Sequence, residues 1–308
     1  MNNITLKAPA KINLSLDVIS KMDNGYHNLS MIMQSVSLFD IISIRKSENI
    51  SVKDNILTDK SENKIAINCD IKHIPTDKTN IVYKCAEAFF KCTNIKNQNL
   101  FINITKKIPA AAGLAGGSAD GAAVLAGLNI LFKTKLDYKN LCSIGEKIGA
   151  DIPFCITGGT ALCEGIGEKI TPLIPLKSGK ILLCKPDTDV STKEIFSKVN
   201  INNIKNHPDT KLLLKAVNSN DLPLLCKNMY NCLEEITSSM HFEIDDIKSK
   251  MRLSGCIGTM MSGSGPTVFG IFNSEEECRK AFTFLKKDFK KCYIADFCDG
   301  IEIISKGE

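Results

Sequence analysis

A run of small residues stands between an expected strand and an expected helix: Lys106-Lys107-Ile108-Pro109-Ala110-Ala111-Ala112-Gly113-Leu114-Ala115-Gly116-Gly117-Ser118-Ala119-Asp120. Strand, Gly/Ala loop and helix together form an arrangement that binds phosphate. Small side chains let backbone N–H groups approach the anion, and the helix N-terminus adds partial positive charge. Ser118 stands where a hydroxyl at the helix start could reach a phosphate oxygen or a metal ion. The loop is not G-x-x-x-x-G-K-[ST], because no Lys follows Gly117, and it is not G-x-G-x-x-G. Taken alone it serves equally as a tight turn before a closely packed helix.

Three further segments carry chemistry. Gly149-Ala150-Asp151-Ile152-Pro153-Phe154 places a carboxylate just beyond an expected helix end, at the unfavourable end of the dipole, before a proline. A base accepting a hydroxyl proton during phosphoryl transfer is one reason for it, and a surface turn is another. Ala8-Pro9-Ala10-Lys11-Ile12-Asn13-Leu14 buries a Lys and an Asn in an apolar strand, and a buried Lys needs a carboxylate or phosphate partner. Met261-Ser262-Gly263-Ser264-Gly265-Pro266-Thr267 is a second glycine turn, fit for a hairpin or a site.

The elements that must position these residues follow from periodicity. Ile12–Ile19, Ser30–Ser37 and Asp40–Arg45 read as strands, with a turn at residues 21–25 and a polar, irregular stretch at 46–78 containing a strand and loops. Asn80 caps a helix from Ile81 to Cys92, and Leu100–Thr105 is the strand before the loop. Helices are expected at Gly121–Phe132 and Asn140–Ile148, the second closed by Gly149. Strands follow at Thr160–Cys163 and Ile181–Cys184, then a helical region from Ser191 to Leu253. Thr267–Phe272 (strand), Glu275–Phe284 (helix) and Tyr293–Phe297 (strand) end the chain. This order predicts an α+β fold dividing near residues 155–165, into 1–160 and 161–308.

Composition excludes several classes. Apolar residues make up 44% and charged residues 24% of 308, as in an ordinary globular protein. The N-terminal residues lack a secretory pattern and no run suits a membrane span, so a cytoplasmic place is expected. Thirteen cysteines at irregular spacing, mostly in apolar segments, read as reduced hydrophobes, and four dispersed histidines give no metal site. A net charge of +5 without aromatic interleaving argues against nucleic acid.

In this order, Ala8–Leu14, Ile108–Ala119 and Ser262–Thr267 resemble the three motifs of the GHMP kinase superfamily, across nearly the whole chain. Asp23-Asn24-Gly25-Tyr26-His27-Asn28-Leu29 with Met33–Asp40 looks like one branch, which acts on 4-diphosphocytidyl-2-C-methyl-D-erythritol in non-mevalonate isoprenoid synthesis. Gly149–Pro153 and Glu164-Gly165-Ile166-Gly167 match that branch as well. The resemblance implies a two-domain fold with the active site in the cleft, ATP as phosphate donor, Mg²⁺, and transfer to the 2-hydroxyl of a small-molecule substrate by a monomer or homodimer. It implies Lys11 and Asp151 as the catalytic pair, with Lys11 keeping the carboxylate ionised. It places Asn13, Tyr26, His27, Thr192 and Phe196 at the substrate, where Tyr26 and Phe196 would sandwich the cytosine. Asn80, Lys106 and the loop from Pro109 through Ala110, Ala111, Ala112, Gly113, Leu114, Ala115, Gly116, Gly117 and Ser118 to Ala119 would hold the nucleotide. Two features depart from the family pattern: Lys21-Met22 replaces Arg-Pro, and Ala110–Ala112 replace glycines, which disfavours positive φ there.

Overall fold

Apolar residues alternate through the N-terminal segments: the expected strand Ile12–Ile19 lies within one longer strand, and Ser30–Ser37 and Asp40–Arg45 run together as another. The computed structural model describes residues 1–46, 64–96 and 98–307. The first half runs β1 (Asn3–Lys21), β2 (His27–Lys46), β3 (Lys64–Cys69), α1 (Ile81–Thr93), β4 (Asn99–Thr105), α2 (Gly116–Leu131), α3 (Tyr138–Gly145), α4 (Ile152–Thr157), β5 (Thr160–Gly165) and β6 (Lys169–Pro172). The second runs β7 (Lys180–Lys185), α5 (Thr192–Ser197), α6 (Thr210–Asn218), α7 (Leu222–Asn228), α8 (Glu234–Ser238) and α9 (Glu243–Leu253). It closes with β8 (Gly258–Met261), β9 (Val268–Phe272), α10 (Glu275–Leu285), β10 (Lys291–Asp296) and β11 (Glu302–Gly307). The strand expected within 46–78 is β3, and residues 47–63 of that stretch lie outside the described residues.

Among the described residues the strands form two sheets. A seven-stranded sheet has the order β11-β1-β2-β4-β3, with β5 paired to β2 and β6 to β5. A four-stranded sheet has the order β10-β7-β9-β8, and α9 and α10 pack against it. The change of sheet falls after β6, and β11 returns to the first sheet, so a division at residue 160 falls at the start of β5. The two sheets meet at the middle of β2, where Asp296 N–H donates to Ser37 Oγ at 2.8 Å and Cys298 N–H to the Ser35 carbonyl at 3.0 Å.

Pro9 governs β1. Proline cannot donate to a ladder and is tolerated in a strand at an irregularity. The pairing of β1 with β2 shifts there: Pro9 faces Phe39 while Ala10 faces Val36. Beyond the shift, Lys11 N–H donates to the Leu114 carbonyl (3.1 Å), and Ser35 N–H, from the residue opposite Lys11, goes to the Gly159 carbonyl (2.8 Å). A second shift between Asn13 and Ser15 leaves the Asn13 N–H to donate to Ser262 Oγ at 3.3 Å. Bulges of this kind re-aim side chains beside functional sites.

Helix α2 is buried nearly all round, and its glycines set how close it lies to its neighbours. A Cβ on Gly127 would stand 2.7 Å from Ile44 Cδ1 and 3.0 Å from Leu6 Cδ1, on β2 and β1. One on Gly121 would stand 2.8 Å from Cys85 Sγ on α1. Gly127→Leu should therefore lower the unfolding free energy by about 1–3 kcal/mol, the usual cost of overpacking. A urea midpoint unchanged from the parent protein would show that α2 is not seated by close approach.

Candidate active site

The loop after β4 delivers an open helix end. Helix α2 begins at Gly116, five residues earlier than expected, and Ala115 at its N-cap gives no side-chain hydrogen bond. Its first internal bond runs from Ala119 N–H to the Ala115 carbonyl at 2.9 Å. The N–H groups of Gly116, Gly117 and Ser118 therefore have no helical acceptor and face the loop mouth with the positive end of the dipole. The alanines correct one expectation. Ala111 (φ 48°) and Ala115 (φ 55°) do adopt positive φ. Each conformation costs about 1–2 kcal/mol relative to the right-handed region, so tertiary contacts must hold the loop.

Those contacts come from both other motifs. The Gly113 carbonyl accepts a hydrogen bond from Ser262 Oγ at 3.0 Å, and the next carbonyl, Leu114, accepts the Lys11 N–H. Gly113 (φ 72°) passes so near the glycine turn that a Cβ would lie 2.2 Å from the Ser262 carbonyl, so no other residue fits. The turn is itself held by Asn231, whose Nδ2 donates to the Met261 carbonyl at 2.9 Å and the Gly263 carbonyl at 2.8 Å.

Lys11 and Asn13 project together from β1. The Lys11 ammonium donates to Asn13 Oδ1 at 2.7 Å and stands 3.9 Å from Asp151 Oδ2. Lys11 and Asn13 are buried, whereas the Asp151 side chain keeps 34% exposure and can reach a ligand. The sequence reading of Asp151 is corrected in one respect. Helix α3 is capped by Asp137 and ends at Gly145, not at Ile148, and Asp151 is the residue that opens the unexpected short helix α4. Its carboxylate lies at a favourable dipole end, and Pro153 takes a first-turn position where its missing N–H costs nothing.

Two residues expected near the nucleotide have other side-chain partners. Asn80 caps α1: its Oδ1 accepts the Val82 N–H at 2.8 Å and its Nδ2 donates to the Pro75 carbonyl at 2.5 Å. Lys106 turns inward, 7% exposed, between Asp40 and Asp120, with Asp120 Oδ2 at 2.7 Å.

Across the cleft, Phe196 on α5 lies 5.4 Å from the ring centroid of His27, not against Tyr26. His27 is the first residue of β2 and points inward, while Tyr26 remains in the turn, 60% exposed. The His27 Nε2 is buried without a hydrogen-bond partner among the described residues, and burial, with Lys21 adding to it, lowers its pKa below the ordinary histidine value. Thr192, at the start of α5, shares a 2.9 Å hydrogen bond with Ser264 Oγ of the glycine turn.

Lys11, Asn13, Asp151 and the loop thus converge, with His27, Phe196 and Thr192 grouped by α5 and the glycine turn. Sequence reasoning named the glycine turn but not Ser262 as its linking side chain, and it missed Asp40 and Asn231. An Asp between Phe39 and Ile41 was an available signal, since a buried carboxylate in a strand needs partners. Among the described residues no group of three or more His, Cys, Asp or Glu could hold a metal, and no helix is long and apolar enough to cross a membrane.

Comparison with known proteins agrees with this arrangement. Residues 80–159 match the GHMP kinases N terminal domain, and residues 213–291 match the GHMP kinases C terminal family. The 4-diphosphocytidyl-2-C-methyl-D-erythritol kinase of Clostridium perfringens is 46% identical over 285 residues, 92% of this chain and 94% of that one. The enzyme of the same name from Clostridium acetobutylicum is 46% identical over 291 residues, covering 94% and 99%. A crystal structure of 4-(cytidine 5'-diphospho)-2C-methyl-D-erythritol kinase superposes with a TM-score of 0.78 at 26% identity, covering 96% of this chain and 100% of that chain. The chain belongs to the GHMP kinases, and within them to the 4-diphosphocytidyl-2-C-methyl-D-erythritol kinase family.

Proposed function

We propose that this kinase transfers the γ-phosphate of ATP to the 2-hydroxyl of 4-diphosphocytidyl-2-C-methyl-D-erythritol, supplying the non-mevalonate route to isoprenoids. The observation that carries the reading is the approach of Lys11 and Asp151, 3.9 Å apart, within a site bordered by the uncapped N-terminus of α2. The free N–H groups of Gly116, Gly117 and Ser118 would take the nucleotide phosphates, with Pro109 to Ala115 shaping the approach. Asn80 and Lys106 would serve this site through the elements they hold, α1 and the start of the loop.

Asp151 would accept or orient the proton of the attacking hydroxyl. Lys11 would pair with Asp151 and stabilise charge on the transferred group, with Asn13 fixing the ammonium through its 2.7 Å hydrogen bond. The cytidine would bind at Tyr26, His27 and Phe196. His27, kept neutral by burial, has an unpartnered Nε2 for a base edge, and the aromatic faces are suited to stacking. Thr192 would meet the substrate with its hydroxyl.

Magnesium suits these residues as an ion carried mainly by the nucleotide. Among the described residues the protein offers the Ser118 hydroxyl and the Asp151 carboxylate but no cage, and Mg²⁺ commonly binds through phosphates, waters and one or two protein groups. It would supply positive charge that offsets the nucleotide phosphates.

Purified protein with MgATP should phosphorylate the cytidyl substrate and leave mevalonate and homoserine nearly untouched in a coupled assay of ADP release. Comparable turnover of mevalonate would remove the substrate assignment and leave the kinase fold intact. Asp151→Asn should lower kcat on the order of 10²–10⁴-fold, the usual worth of a positioned base, with the ATP Kd close to the parent value. A variant keeping a third of the parent kcat would take Asp151 out of the mechanism.

A further inference from the structure

Lys106, Asp40 and Asp120 form a buried cluster that the chemistry above does not use. Two carboxylates share one ammonium, and all three side chains are 7% exposed or less. Such clusters are expensive to bury and do not by themselves indicate stability. What distinguishes this one is where its members sit. Asp40 lies on β2, and its Oδ1 accepts the N–H groups of Lys107 (2.6 Å) and Ile108 (2.8 Å), fixing the start of the phosphate loop. Asp120 lies one turn into α2, beyond the end of the same loop, and its Oδ2 accepts from the Lys106 ammonium at 2.7 Å. That ammonium lies against the first residue of α2, since a Cβ on Gly116 would stand 3.3 Å from it. A single side chain therefore ties both ends of the loop to β2.

We infer that Asp120 is a positioning residue for the nucleotide phosphates, acting through Lys106 to hold the N-terminus of α2 in register with the start of the loop. The loop needs such a clamp. It contains two alanines at positive φ, and its helix end lacks a side-chain cap, so its conformation depends on contacts from outside the loop. The cluster does not face the ligand: Asp120 is 4% exposed and its Oδ1 has no partner among the described residues. Burial, with Asp40 nearby adding to it and Lys106 opposing it, drives the Asp120 carboxyl well above the ordinary carboxylate range. What Lys106 takes from this side chain is an acceptor oxygen, which a neutral side chain of the same shape also offers.

The inference rests on the α2 loop being the nucleotide site. Wild-type protein that fails to bind ATP would remove that reading, whereas the comparison of variants tests the clamp alone. Asp120→Ala should raise the ATP Kd and the ATP KM about tenfold, leave the KM of the alcohol substrate within twofold, and cost little kcat at saturating ATP. Asp120→Asn should restore ATP affinity to within threefold, because its amide oxygen can take the place of Oδ2 and accept from Lys106. Should Asp120→Ala not fold, Asp40→Asn leaves α2 untouched, sets a second donor beside the ammonium and should give the same selective loss. A folded Asp120→Ala or Asp40→Asn with parental ATP affinity, or an equal rise in both KM values, would overturn the proposal. Failure of Asp120→Asn to restore ATP binding would do so too.

Discussion

Two adjacent carbonyls, those of Gly113 and Leu114, hold this active site together. Each accepts a hydrogen bond from a distant part of the chain: Ser262 Oγ at 3.0 Å from the glycine turn, and Lys11 N–H at 3.1 Å from β1. The same Ser262 hydroxyl accepts the Asn13 N–H at 3.3 Å, closing a ring of contacts among three segments. Buried backbone groups left unpaired cost about as much as a lost hydrogen bond, so each segment fixes the others. This explains why Gly113 must lack a side chain, and how Ala111 and Ala115 are kept at positive φ.

The geometry begins with Pro9. The pairing with β2 shifts its register there, and just beyond the shift the Lys11 N–H points away from β2 to the loop. Opposite it, the Ser35 N–H also points out of the pair, to the Gly159 carbonyl. The side chains of Lys11 and Asn13 then stand on one face of β1, beside the start of α4 and Asp151. Fold and catalysis thus share one irregularity. Small residues recur for a related reason: at Gly113, Gly116 and Gly121 neighbouring atoms already occupy the space a Cβ would need.

Much of this was legible in the sequence because its signals are local. A Lys and an Asn inside an apolar run, a string of Gly and Ala before a helix, and an Asp beside a proline can each be read without knowing the fold. What was not legible depends on tertiary partners or on one-residue phase. Asp151 was expected behind a helix, whereas the helix lies ahead of it, since six residues give too little periodicity to see. Tyr26 and Phe196 were expected on either side of a bound cytosine, and the ring that lies beside Phe196 is that of His27, because β2 begins there and a shift of one residue exchanges inward and outward side chains. Lys106 was expected near the nucleotide by resemblance alone, which could not show that Asp40 and Asp120 take its ammonium. Strand β11 escaped notice because its exposed edge shows no alternation of buried and exposed residues.

The claim that three segments act as one unit turns on the Ser262 hydroxyl, which bonds to the other two and need not touch a ligand to matter. Ser262→Ala leaves the Asn13 N–H and the Gly113 carbonyl short of a partner, a loss worth about 1–3 kcal/mol. Measured by steady-state kinetics with MgATP, kcat/KM should fall on the order of 10–100-fold while the far-ultraviolet circular dichroism stays that of the parent protein. A Ser262→Ala enzyme with parental kcat/KM would contradict the account, because the loop would then be held without the glycine turn.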